Sequence, residues 1–432
     1  MRPPQNGRKC ITARCDLRKG IRVRFLRELT IDFICCGATL WRKRCAATLC
    51  RTTSVGALTN AEVLINIVST SGVDREMARI SKRVGVVLFQ LGGPDSLAAV
   101  EPFLYNLFLD PDIIDFPFSR LGRRALARLI STTRAKKAAQ HYAAIGGSPI
   151  RRFTEQQAAA LEARLMRDGV DARCVVAMRY WHPFTAEAIA RLHDARHDAR
   201  QDAEVDQVVL LPLYPQYSST TTGSSLNEWR RLWTGAVPTS CVAPFYRNPI
   251  YIAAVVERID EALARFAHPE AVPLVFSAHS VPVSVIEKGD PYQRQIEETV
   301  GLVMEQGGWS NDHRLCYQSK VGASRWLEPS LRQTLRQVAS EKRCGVCIVP
   351  ISFVSDHVET LGEIDHHARQ EARLLGIERF EMTRGLNDSP TFIQALAASV
   401  LATIGESGVA IQGEEKIQDQ EREAAAQSMV AD

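Results

Sequence analysis

Residues 274–282 read LVFSAHSVP: four residues of apolar bias run into a small polar turn, with His279 where the run ends. An imidazole there could be a satisfied structural histidine, a metal ligand or a base, because its ordinary pKa of about 6.5 lets it exchange protons near neutrality. A second stretch, FVSDHVETLGEID at 353–365, sets Asp356, His357 and Glu359 directly after another apolar run. On an α-helical period Glu359, Glu363 and either His366 or His367 recur at i, i+4, i+7 and form a polar face apart from the apolar stripe. Such a row is either a solvated acidic face or, leading inward from a buried strand, a path for a divalent metal or for protons.

Other chemistries fit less well. H-E-x-x-H is absent, and Glu363-x-x-His366 is a single Glu-x-x-His pair where a di-iron bundle needs two with two further glutamates. Cys344-x-x-Cys347 straddles a strand start and reads as buried thiols rather than a metal knuckle. Ser224, Ser225, Ser277 and Ser280 have histidines within reach, but there is no G-x-S-x-G elbow for serine hydrolysis. LGGP at 91–94 and IGGSP at 145–149 are glycine turns without a dinucleotide or P-loop signature.

The elements that must position these residues follow one pattern. Strand candidates lie at 84–91, 174–180, 208–214 and 240–245, then at 272–277, 315–319, 346–352 and 378–383. Helix-like stretches at 154–167, 184–195, 249–266, 292–306, 328–341 and 357–375 alternate with them. Continuous apolar strands alternating with helices indicate parallel sheets covered on both faces. The expected fold class is therefore α/β, with two doubly wound domains that each carry a four-stranded parallel sheet flanked by helices. Ligands of such sheets bind beyond the carboxyl ends of the strands, and those ends carry Leu91, Arg179, Tyr180, Tyr217, His279 and the Asp356–Glu359 run. A last helix, 389–403, opens on Ser389-Pro390, a cap followed by proline at the first helical position.

Bulk composition is that of a soluble globular chain: 432 residues, 45% hydrophobic, 24% charged, net charge +4. Neither the charge nor any basic stripe interleaved with aromatics points to nucleic acid, and no apolar run reaches the roughly 18 residues of a membrane span. Residues 1–80 differ from the rest. They are Arg-rich, acid-poor and hold six of the eleven cysteines within the first 50 positions. They read as a targeting segment, a small metal module, or an over-extended start with the true chain beginning near Met77. The segment is expected to be poorly ordered or not native, and the acidic stretch 406–432 is expected to be a disordered tail. The remaining division is 84–240 and 241–388, the latter carrying His279 and Glu359, with 389–403 packing back on the former.

Seven collinear segments resemble the ferrochelatase family: VGVVLFQLGGPDSLAAVEPFLYNLFLDPDIIDFP (84–117), HYAAIGGSPI (141–150), MRYWHPFTAEAI (178–189), LLPLYPQYSSTTTGSSLNEW (210–229), SAHSVP (277–282), YQSKVGASRWLEPS (317–330) and FVSDHVETLGEID (353–365). The resemblance covers about residues 84–403. It implies a lyase of haem and porphyrin biosynthesis that inserts Fe2+ into protoporphyrin IX and releases two protons. The same fold also serves coproporphyrin and sirohydrochlorin chelatases and could serve a non-catalytic tetrapyrrole binder.

By this resemblance His279 is the base, the metal contact or both, Glu359 is the carboxylate facing it, and Glu363, His357 and Asp356 form a proton or metal path. Leu91, Phe103, Leu104, Trp326 and Phe353 are implied porphyrin walls. Tyr142 and Arg179 are candidates for the propionates or the pocket mouth, and Tyr180 and Ser218 fall in pocket motifs. The apolar segment 102–118 resembles the pocket lip, which could touch a bilayer or be an ordinary buried helix. Two departures stand out. HYAAIGGSPI is one Gly shorter than the common IGGGSPI form. Ser219 stands where animal enzymes carry a cluster cysteine, and no Cys follows Cys347, so no [2Fe-2S] cluster and no permanently bound cofactor are expected. The implied location is cytoplasmic, with peripheral membrane contact through 102–118; oligomeric state is left open.

Overall fold

The computed structural model describes residues 83–113, 120–193, 205–320, 324–343 and 345–405. It also describes an antiparallel ladder of β1 (Ile11–Arg14) and β2 (Ala46–Leu49), within a separate unit Met1–Arg79. The expectations of poor order or non-native origin for 1–80, and of disorder for 406–432, otherwise lie outside the described residues, as does Cys344.

Two four-stranded sheets carry the fold. The first holds β3 (Val84–Gln90), β4 (Ala172–Met178), β5 (Gln207–Pro212) and β6 (Thr239–Cys241) in the order β4-β3-β5-β6. The second holds β7 (Leu274–His279), β8 (His313–Gln318), β9 (Gly345–Pro350) and β10 (Arg379–Met382) in the order β10-β9-β7-β8. All pairings within both sheets are parallel, as the uninterrupted apolar runs require. Every residue of β3 is buried, and so are the first five of β7 and of β9. The expected strand 240–245 is cut to three residues, since Pro244 cannot donate to a ladder.

Both sheets have the same winding: the second strand beside the first, then the third and fourth on the other side. The direction of winding reverses between β3 and β5 and again between β7 and β9, where crevices open at the carboxyl ends of the strands. The loops after these four strands build the site.

Three helices bear on it. α1 (Val100–Leu109) and α2 (Arg120–Ala144) pack against each other ahead of α3 (Ile150–Arg167). α2, a 25-residue helix rich in Arg and Lys, has no counterpart among the helix-like stretches expected from the sequence. The closing helix, α4 (Pro390–Gly405), lies against α3 and against the helix Pro249–Leu263. Ser389 precedes it as expected, but its buried hydroxyl finds no hydrogen-bond partner, so proline at the first position, not a side-chain cap, starts this helix.

Candidate active site

His279 is the last residue of β7, and its backbone is fixed twice. Its N–H donates to Ser352 Oγ at 2.9 Å, and its carbonyl accepts from Tyr292 Oη at 3.0 Å. Nδ1 lies 2.7 Å from the Ser280 carbonyl. A carbonyl only accepts, so Nδ1 carries a proton and Nε2 is the working nitrogen. Nε2 stands 3.6 Å from Glu359 Oε2.

Glu359 comes from the loop after β9, where the chain enters a π-helix, Val358–Ala368. His357 is held the same way as His279. Its Nδ1 is 3.0 Å from the Ser355 carbonyl, and its Nε2 is 3.7 Å from the same Glu359 oxygen. Two imidazoles therefore aim their free nitrogens at one carboxylate oxygen. Phe353 is the wedge of this arrangement, its ring 6.3 Å from that of His279 and 4.7 Å from that of His357.

Charge and burial oppose each other here. Burial lowers the His279 pKa, but the Glu359 carboxylate, with help from Glu363 and the Ser280 carbonyl, overrides it and raises the pKa to about 9. Burial pushes Glu359 up, yet His279 and His357 hold its carboxyl well below the usual carboxylate range. Glu363 goes the other way. Burial and the neighbouring Glu359 charge raise it, against the hydrogen bonds from the Ser319 N–H and hydroxyl. Ser319 adopts a left-handed φ of 67°, unusual for a residue with a side chain, and this turns its N–H onto Glu363.

His279, His357 and Glu359 open into a cavity of about 1920 Å³, which Leu91, Leu104, Ser218, Ser319, Trp326 and Phe353 also line. The His279 side chain is 37% exposed and that of Glu359 24%, so a ligand in the cavity can reach both. One wall is apolar, from Leu104, Leu107 and Phe108 of α1 with Ile113 beyond it; Val281, Val285 and Ile286 add further apolar lining. Arg134 and Lys288 add exposed cations at the lining. Among the described residues no group of three or more His, Cys, Asp or Glu has the geometry to hold a metal ion.

Several expected positions fall elsewhere. Asp356 is a structural carboxylate: it accepts from the Gly385 N–H at 3.1 and 3.2 Å, from Asn387 Nδ2 at 2.9 Å and from Thr360 Oγ1 at 3.3 Å. With its oxygens so occupied, it anchors the loop and does not extend the path. Phe103 is core, and Tyr142 is buried behind the cavity wall, where burial and the Glu359 charge push its phenol up.

Arg179 and Tyr180 do not line the cavity either. The Arg179 guanidinium contacts buried Asp110 at 2.9 Å and Ser224 Oγ at 2.8 Å, so its charge is already paired within the fold. The His366/His367 continuation of the acidic row also changes. A π-helix winds at roughly 4.4 residues per turn, which keeps Glu359 and Glu363 on one side but carries His366 away. Both histidines are exposed, and His367 packs against His141 of α2.

Sequence reasoning missed Asp110, Ser319, Arg134 and Lys288. Ser319 follows the end of β8, so the rule that strand ends carry function would have found it; the others have no local signal.

The ferrochelatase family model matches residues 83–404. The ferrochelatase of Cyanothece sp. is 45% identical over 329 residues, covering 74% of this chain and 83% of that protein. The ferrochelatase of Geotalea daltonii is 45% identical over 331 residues, covering 76% and 100%. Among solved structures, SirB from Bacillus subtilis with Fe3+ has 13% identity and a TM-score of 0.45, over 78% of this chain and 98% of that one. By the family match and by these relatives, the chain belongs to the ferrochelatase family.

Proposed function

We propose that the chain inserts Fe2+ into protoporphyrin IX, forming protohaem with release of two protons, the last step of haem b synthesis. The observation that carries this reading is the His279 Nε2–Glu359 Oε2 pair, 3.6 Å apart, facing a cavity with apolar walls. A flat macrocycle needs such walls and few polar anchors. Its two weakly acidic pyrrole N–H groups need a base aimed into the cavity. Arg134 and Lys288 replace Arg179 as partners for the propionates.

Family membership supports the iron and porphyrin substrates. With His279 raised to about 9, the resting pair is an imidazolium beside a carboxylate. Two positive charges arriving with Fe2+ oppose that imidazolium and lower its pKa. The Nε2 proton then leaves through Glu359, with His357 and Glu363 as onward acceptors. Nε2 is left free to take a pyrrole proton or to touch iron. The purified chain, assayed anaerobically with Fe2+ and protoporphyrin, coproporphyrin or sirohydrochlorin, tests the reading. Useful rates of Soret change are expected with protoporphyrin; turnover of another tetrapyrrole alone would overturn the substrate assignment.

Ser319 gives this path its own test. Its hydroxyl and N–H favour the ionised form of Glu363. Losing a hydrogen bond to a charged group changes an equilibrium by roughly tenfold. Ser319→Ala should therefore raise KM for Fe2+, by up to about tenfold. Losing these donors pushes the Glu363 carboxyl further up, so the defect should grow as pH falls and shrink as pH rises; a defect that does not depend on pH would remove Glu363 from the path.

No helix among the described residues is long and apolar enough to cross a membrane. Independently of that, we propose a cytoplasmic location with peripheral membrane contact through 102–118, of which 114–118 lie outside the described residues. We further propose that it works without a [2Fe-2S] cluster. At the loop position in question, Ser219 Oγ donates to Asp290 Oδ2 at 2.8 Å.

A further inference from the structure

We propose that Asp110 is a positioning residue for the macrocycle: through Arg179, Tyr180 and Ser224 it fixes the α1 wall of the cavity and so sets porphyrin affinity without touching the ring. This rests on the reading that a porphyrin occupies the cavity.

Asp110 closes the carboxyl end of α1, and its side chain is 1% exposed. One oxygen, Oδ2, takes three donors: Tyr180 Oη at 2.6 Å, Ser224 Oγ at 2.6 Å and the Arg179 guanidinium at 2.9 Å. The donors come from two other elements, the segment after β4 and the helix Ser224–Leu232. Asn106, one turn back on α1, donates to the Tyr180 carbonyl at 3.1 Å. Arg179 is held in turn, through Nε to Ser224 and with its guanidinium over the Tyr180 ring.

The other oxygen faces forward. Asp110 Oδ1 accepts from the Asp112 N–H at 2.9 Å, and Asp112 is tied to Asn227 Nδ2 at 3.1 Å. Leu107 and Phe108 just before Asp110, and Pro111, Asp112 and Ile113 just after it, all line the cavity. None of Asp110, Arg179, Tyr180 and Ser224 does. The network is thus the root of a wall whose tips meet the ligand. Its charges are matched only while both members of the pair are present, because a buried guanidinium without its carboxylate is strongly disfavoured and must move. If it moves, α1 and the segment 111–113 lose their fixed place relative to β4.

The metal-handling groups sit on the opposite sheet, at the ends of β7 and β9. The effect should therefore fall on the porphyrin and spare the iron. Asp110→Asn keeps the shape and removes the charge. In steady-state assays its KM for protoporphyrin should rise about tenfold, with kcat at saturating porphyrin and KM for Fe2+ each within about threefold of the parent. Asp110→Asn with Arg179→Gln should recover most of the porphyrin KM, since no buried charge is left unmatched.

A purely structural role predicts something else: a lower melting temperature with an unchanged porphyrin KM, and that result overturns the proposal. So does a parallel loss in kcat and in both KM values, or a double variant no better than the single one. Should Asp110→Asn not fold, Arg179→Lys keeps the charge but loses the forked contacts, and the same three parameters decide. Failure of the parent to use protoporphyrin would refute the functional reading itself; a parent that turns over beside an Asp110→Asn with parental KM refutes only this inference.

Discussion

Replacing His279 with alanine is expected to lower the rate of Fe2+ insertion by about 10³-fold while leaving protoporphyrin binding within about threefold of the parent. The asymmetry follows from the geometry. The imidazole presents one nitrogen to the cavity, because Nδ1 is committed to the Ser280 carbonyl. The cavity walls are built by other residues, among them Leu91, Leu104, Trp326 and Phe353. Truncation removes the group proposed to take the proton or touch iron and leaves the walls in place. Single-turnover Soret spectra separate the two quantities: porphyrin quenching or a bathochromic shift on binding should persist, and the spectrum of the metallated product should not develop. A variant that inserts at the parental rate would remove His279 from the chemistry. One that loses both insertion and binding would make it a structural histidine.

What the sequence reveals of this arrangement is set by locality. Strands β3, β5, β7 and β9 are legible because a strand buried on both faces is an unbroken apolar run, and each is such a run. His279, His357 and Glu359 are legible because they follow two of these runs, at the edge where parallel sheets bind ligands. Pairings between distant residues are not. Arg179 looked like a free cation at a strand end; its partner Asp110 lies 69 positions earlier, and nothing near either residue signals the other. Asp356 looked like one more carboxylate in a row, yet Gly385 and Asn387, from the loop before α4, use up its oxygens. The Glu359 row follows from an α period, and the chain adopts a π period instead. The wider winding keeps Glu363 beside Glu359 and turns His366 away, a change of register that composition does not encode.

The register matters because Glu359 controls the state of His279, and replacing that carboxylate exposes the control. Glu359→Gln is expected to slow insertion by about 10²-fold and to move its pH dependence toward lower pH. Neutral imidazole is the form that can accept a pyrrole proton. With the His279 pKa raised to about 9, kcat/KM of the parent should rise with pH and level off near that value. Burial alone would lower this pKa, and Glu359 supplies the largest opposing contribution. Glutamine preserves size and hydrogen bonding but not charge, leaving burial opposed only by the more distant Glu363 and the Ser280 carbonyl. The inflection should then fall toward or below the ordinary histidine value of about 6.5. The variant would hold more neutral imidazole at pH 7 than the parent and still be slower, because the carboxylate proposed to attract Fe2+ and pass on the proton is gone. Anaerobic profiles between about pH 5.5 and 9.5 decide the matter. An inflection that stays near 9 in Glu359→Gln would break the assignment of the pair. A parent whose rate falls as pH rises would instead make the imidazolium the working form.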